Sequence, residues 1–249
     1  RYALSAITSG DTLMVKEGTY TGPENRDIYL DTGSNSGSGS GGFKNMVLKS
    51  EKGPEKTIFD AEGNGRHLTI MSSEADPIDS TTQIIGITFQ GGQATQQYSP
   101  GGSMILMAGV ENVGSENFAN HNQIKFKNVI FKGNHAYSGG AIHMDNAAPI
   151  FEDCVFESNS AEREGGALNY YSDYNVFKED TLWVRNSTFK NNDVDNSDSQ
   201  EGQTNGGAIA LNGHGNVVII GSSFEKNKLR GFGNGGGSYG GAIFISGNW

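Results

Sequence analysis

The chain has one cysteine, Cys154, which rules out an intrachain disulfide, a cysteine-based zinc cluster and a CxxC redox pair. It has only 5 prolines and few long spans of strong helix formers, against 37 glycines, so helical repeats are excluded and many tight turns are expected. Basic residues are also scarce: 18 Lys and Arg face 28 Asp and Glu, giving a net charge of −10. Such a balance cannot form the basic footprint that nucleic acid or an anionic membrane surface requires. No apolar run approaches the roughly 20 residues of a membrane-spanning helix, and no signal peptide opens the sequence.

What the chain does have is recurrence. Five hexads, IIGITF (84–89), FKNVIF (126–131), FEDCVF (151–156), VRNSTF (184–189) and IIGSSF (219–224), align column by column. The first column is apolar, and the third is Gly86, Asn128, Asp153, Asn186 or Gly221, the residue types that tolerate a left-handed bend. After the bend, period-2 alternation turns Ile87, Val129, Cys154, Ser187 and Ser222 inward together with Phe89, Phe131, Phe156, Phe189 and Phe224. An FxxN signature places Asn134, Asn159, Asn192 and Asn227 after the phenylalanines, with Gly92 in the first row. A Gly-Gly pair follows 12, 8, 9, 17 and 16 residues after each Phe and opens a strand whose alternate residues, such as Ile142/Met144 and Leu168/Tyr170, also point inward.

Three short strands joined by bends, with a minimum repeat of 25 residues from Phe131 to Phe156, describe one turn of an all-β, three-sheet parallel β-helix. Like residues then stack, the phenylalanines as rings and the asparagines as a ladder that satisfies backbone groups at the bend. Residues 80–249 carry the regular turns, and residues 1–79 the irregular first turns, with strands at 13–20, 46–50, 57–61 and 67–70 and a flexible excursion at 32–42. The whole reads as one β-helix segment of a longer chain, since no polar capping repeat closes it at Asn248-Trp249.

The FxxN and GGA[IL] repeats resemble those of chlamydial-type polymorphic outer-membrane protein passenger domains, and the coil resembles the right-handed parallel β-helix superfamily. The resemblance implies a non-catalytic, extracellular or cell-surface adhesin passenger or rigid stalk, whose partners are proteins or glycans of a cell surface. A structural subunit of an extracellular filament or coat, meeting copies of itself or other coat proteins, is an alternative.

A second alternative is a polysaccharide lyase or glycoside hydrolase on the same fold. Its candidate residues are the outward row Lys127, Glu152 and Arg185, which also reads as a solvated cross-strand charge ladder, and His214 of a Gly-His-Gly turn. Neither an NTD tripeptide nor an Asp-Asp pair accompanies that histidine, although glycoside hydrolysis ordinarily needs two carboxylates. The outward column Ile105, His143, Asn169, Ala210 and Phe244 offers no carboxylate pair. Calcium is the one cofactor with candidate ligands, Asp193, Asp195, Asp198 and Glu201, although their spacing is not that of an EF-hand and a solvated acidic loop is the competing reading. Asn186-Ser187-Thr188 fits the glycosylation sequon, but Asn186 already has a backbone role in the bend column, and Cys154 reads as a buried, inert thiol. The unequal loops emerge on one side of the coil, where Tyr98, Phe232 and Tyr239 are the aromatic handles for a partner.

Overall fold

The computed structural model describes residues 2–32, 45–73, 77–94, 96, 98–113, 116–119, 121–173, 176–177, 180–196, 204–231 and 237–247. The expected excursion at 33–42 lies outside them, whereas Thr32 is buried and its Oγ1 accepts a bond from the Ser73 backbone N–H at 2.9 Å. The chain winds as a right-handed parallel β-helix with three parallel sheets of seven strands each. One turn shows the pattern: Ile150–Glu152 in the first sheet, Val155–Glu157 in the second, Ser160–Glu164 at a corner and Leu168–Tyr171 in the third.

The third column of the hexads makes the bend between the first two sheets. All five of its residues are left-handed, with φ of 67° at Gly86, 52° at Asn128, 56° at Asp153, 50° at Asn186 and 64° at Gly221. Inward of the bend the rings stack as expected, and the column continues two turns further through Phe59 to Tyr20. Centroid separations run from 5.8 Å for Phe89–Phe131 to 4.6 Å for Phe156–Phe189. Each such burial is worth ~1.5–3 kcal/mol, and stacking adds ~0.5–1.5 kcal/mol. Burial falls away in the last turn, where Ile245 is 58 % exposed because no described turn covers it.

The asparagines form the internal ladder. The Asn159 Nδ2 donates to Phe131 O at 3.0 Å and to Asn192 Oδ1 at 3.0 Å, while Asn159 Oδ1 accepts from the backbone N–H and the Nδ2 of Asn134. The ladder ends on Gly92, whose N–H donates to Asn134 Oδ1 at 2.8 Å. A side chain there would overlap the Gly102 carbonyl, which is why the first row has glycine in place of asparagine.

Two elements that the sequence pattern did not separate sit at different corners, one between the second and third sheets and one between the third sheet and the first of the next turn. A further parallel sheet joins His135–Ser138, Ser160–Glu164, Asp193–Asp195, Thr204–Asn205, Lys228–Arg230 and Ser238–Tyr239. A small three-stranded sheet pairs Val110–Val113 with Glu116–Ala119 and the latter with Val176–Phe177. The segment expected to be a solvated acidic loop is therefore strand at 193–195 and 204–205, because it stacks on neighbouring turns.

Candidate functional site

The residues proposed from sequence fall in different places. Glu152 bonds both Lys125, at 2.5 Å, and Lys127, at 2.7 Å, and these partners hold its carboxyl down to about 2. Arg185 is the next residue in that row but lies over the Trp183 ring, 4.0 Å from its centroid. The expected alternating ladder is thus two lysines closed on one glutamate, beside a separate cation–π pair. His214 belongs to a turn tied down through its backbone: Tyr170 and Ser172 hydroxyls donate to its carbonyl, and its N–H donates to Ser172 Oγ. Burial pushes the Cys154 thiol up to about 12, as expected of an inert core cysteine.

Asp193 and Asp195 both pair with the Arg230 guanidinium, which occupies carboxylate oxygens that a cation would need. Asp198 and Glu201 lie outside the described residues, as does Phe232. Among the described residues no group of three or more His, Cys, Asp or Glu side chains is placed to hold a metal ion. Tyr98 is 65 % exposed and packs edge-on against Tyr137, whose hydroxyl accepts a bond from Arg163 at 3.0 Å, whereas Tyr239 leans on Phe244. The two tyrosines thus have separate neighbours.

A polar cluster that the sequence pattern did not reveal lies where the corner meets the outer face of the third sheet. Glu164 ends its corner strand immediately before Gly165-Gly166, with Asn205 stacked above it. Its Oε1 accepts from Asn205 Nδ2 at 3.0 Å, and its Oε2 accepts from Asn212 Nδ2 at 3.1 Å and Asn169 Nδ2 at 3.3 Å. With its amide nitrogen committed to Glu164, Asn169 turns its oxygen to His143 Nδ1, 2.8 Å away, so that nitrogen carries the hydrogen and Nε2 keeps a lone pair. Burial, helped by the charge of Arg66, draws the His143 pKa down to about 4 and keeps the ring neutral.

The outward column holding His143 and Asn169 is accordingly not bare, and Asn169 and Ala210 are buried rather than solvated. Its carboxylate comes from the preceding corner, not from the column itself. The signal was available in the position before each Gly-Gly pair, which reads Pro100, Ser138, Glu164, Asn205 and Tyr239: a variable column beside invariant glycines.

Apolar pockets open at the first and at the last described turns of the coil. One of about 350 Å³ is lined by Leu4, Leu13, Leu48 and Phe89, and one of about 570 Å³ by Trp183, Leu211, Val217 and Ile245. No helix among the described residues is long and apolar enough to cross a membrane, which says nothing of a β-barrel.

Residues 128–145 match the model of the Chlamydia polymorphic membrane protein repeat. They run from the Asn128 bend through Phe131, Asn134 and Gly139-Gly140 to the end of the strand Ile142–Asp145. No curated protein and no solved structure matched the chain.

Proposed function

We propose that this chain is a surface-located, non-catalytic β-helix module, an adhesin passenger or rigid stalk that presents its corner face to a partner outside the cell. The observation that carries the reading is the polymorphic membrane protein repeat at 128–145, which falls on one corner of a coil that repeats the same corner in neighbouring turns. A stack of parallel sheets with ring and amide ladders inside gives the stiffness that a stalk needs. The non-catalytic half of the reading is supported by the state of the candidate residues: Glu152 is held between Lys125 and Lys127, and Arg230 is held between Asp193 and Asp195.

Protease treatment of intact source cells, followed by detection of the chain, tests the location. Digestion of the chain while a cytoplasmic marker survives is the expected result. Full protection in intact cells, with digestion only after lysis, contradicts the reading.

A further inference from the structure

We infer that the cluster on the outer third sheet is a saccharide site, in which Glu164, His143, Asn205 and Asn212 hold hydroxyls of an uncharged sugar against the ring of Tyr171. The inference deepens the surface-module reading and rests on it only for the source of the sugar, a cell-surface glycan.

The hydrogen-bonding capacity left over defines the ligand. Asn205 is 4 % exposed, yet its Oδ1 has no hydrogen-bond partner. Its orientation is fixed, because turning the amide over would set that oxygen against the Glu164 carboxylate. His143 Nε2 has a lone pair and no described partner, since Asn169 holds only Nδ1. Glu164 accepts three N–H bonds on two oxygens that offer about four lone-pair sites. The unused sites are of both kinds, acceptors at Asn205 Oδ1 and His143 Nε2 and donors in the second N–H of the Asn169, Asn205 and Asn212 amides, so the missing ligand must both donate and accept within a small footprint, and the vicinal hydroxyls of a sugar ring do so.

Charge narrows the class. A uronate, sulfate or phosphate would meet the Glu164 carboxylate and a chain of net charge −10. A polyamine would also bring donors, but it offers no acceptor once charged, three amides already compensate Glu164, and Arg163 stands near Glu164 as Arg66 does near His143. An uncharged polyol fits both constraints. Tyr171 completes the site: it is 48 % exposed, lies two residues along the same outward face from Asn169 and pairs in register with Asn212. Its ring can lie against the C–H face of a sugar while its hydroxyl stays in water.

Titration calorimetry on the purified chain tests this, using cellotetraose, mannotetraose, galactotetraose and chitotetraose as neutral probes and polygalacturonate and spermidine as charged ones. At least one neutral probe should bind saturably at millimolar concentration or below, and Tyr171→Ala and Glu164→Gln should each weaken it about tenfold, roughly the value of one lost hydrogen bond or ring contact. Tyr171→Ala, at an exposed position, should melt as wild type does, so its loss of binding cannot be ascribed to unfolding. No binding by any neutral probe, preference for a charged one, or equal binding by both variants and wild type overturns the inference. Saccharide binding by a chain that intact cells protect from protease would sink the surface reading and leave the site standing. A protease-accessible chain that binds no neutral probe would sink the site and leave the surface reading standing.

Discussion

Among the described residues, asparagines gather in an inner ladder and an outer cluster, and the two are wired differently. Inside the coil, Asn159 and Asn192 of the FxxN ladder use both amide atoms, on backbone groups and on the neighbouring rung. Outside the third sheet, Asn169, Asn205 and Asn212 gather on one carboxylate and leave Asn205 Oδ1 unpartnered. A repeated, fully satisfied network specifies structure, whereas a single, incompletely satisfied one has room for a ligand. The same residue type thus serves the stack in one place and the surface in the other, and only its partners tell the two apart.

The glycine pairs put the stack to its most severe test. The first glycine of each pair has positive φ and turns the chain, as Gly139 does at 64°. The second is constrained by space: a methyl group on Gly140 would overlap the carbonyl oxygens of Gly166 and Ser160, and one on Gly166 that of Gly207. Gly140→Ala should therefore push two turns apart and abolish cooperative folding or cost several kcal/mol, by analogy with overpacked cores. Gly133→Ala, at φ 59° with nothing within 4 Å of the added carbon, should cost only ~1 kcal/mol of backbone strain. Urea unfolding of the two variants compares them directly, and equal effects would mean that the backbone stack is looser than described.

Next in size is the ladder itself. Asn159→Ala strips Asn134 of the acceptor for both its N–H groups and leaves Phe131 O without its amide donor. At ~1–3 kcal/mol per buried polar group left unpaired, a loss of about 3–5 kcal/mol is expected. Asn205→Ala removes only the bond to Glu164 and an oxygen that had no partner, so its cost in the same assay should stay within about 1 kcal/mol. A larger loss for Asn205→Ala than for Asn159→Ala would invert the distinction between the two clusters.

How far these clusters were legible in the sequence follows from their periodicity. The bend column, the phenylalanine stack and the inner ladder recur every turn, so stacking writes each of them several times into the chain. The glycine pairs were visible as turns, but the steric demand on the second glycine depends on a neighbouring turn that sequence spacing does not reveal. The outer cluster was missed because it occurs once: Glu164, Asn169, Asn205 and Asn212 come from two successive turns, and the turn before them has Ser138 where Glu164 would stand. The ladder Lys127–Glu152–Arg185 was placed in the correct row, but its pairing was decided by Lys125 and Trp183, one column away.

A smaller, pH-dependent difference also separates interior from surface. Burial lowers the pKa of His67 to about 4, where it sits between Ser103 Oγ and Phe59 O, and His143 is lowered similarly. Both fold neutral but would protonate near 6.5 when unfolded, so between pH 6.5 and 4 the unfolded chain binds more protons and stability falls with the pH. For fully buried His67 the loss reaches about 3 kcal/mol at the bottom of that window, and it is less for the partly exposed ring of His143. The paired Glu152 works below this range: its carboxyl is lowered from 4.5 to about 2, so its contribution is present above pH 4.5 and lost toward pH 2. Urea midpoints at pH 7 and pH 4.5 should differ in the stated direction, and a flat profile would mean that water reaches His67.

The distinction between the two clusters is tested most directly by following the side-chain amide resonances of asparagine while a neutral tetrasaccharide, one of the four calorimetry probes, is titrated into the chain. Shifts confined to Asn169, Asn205 and Asn212, with Asn134, Asn159, Asn192 and Asn227 unmoved, are the predicted result. Unmoved outer amides with every probe, or shifts in the inner ladder instead, would contradict it.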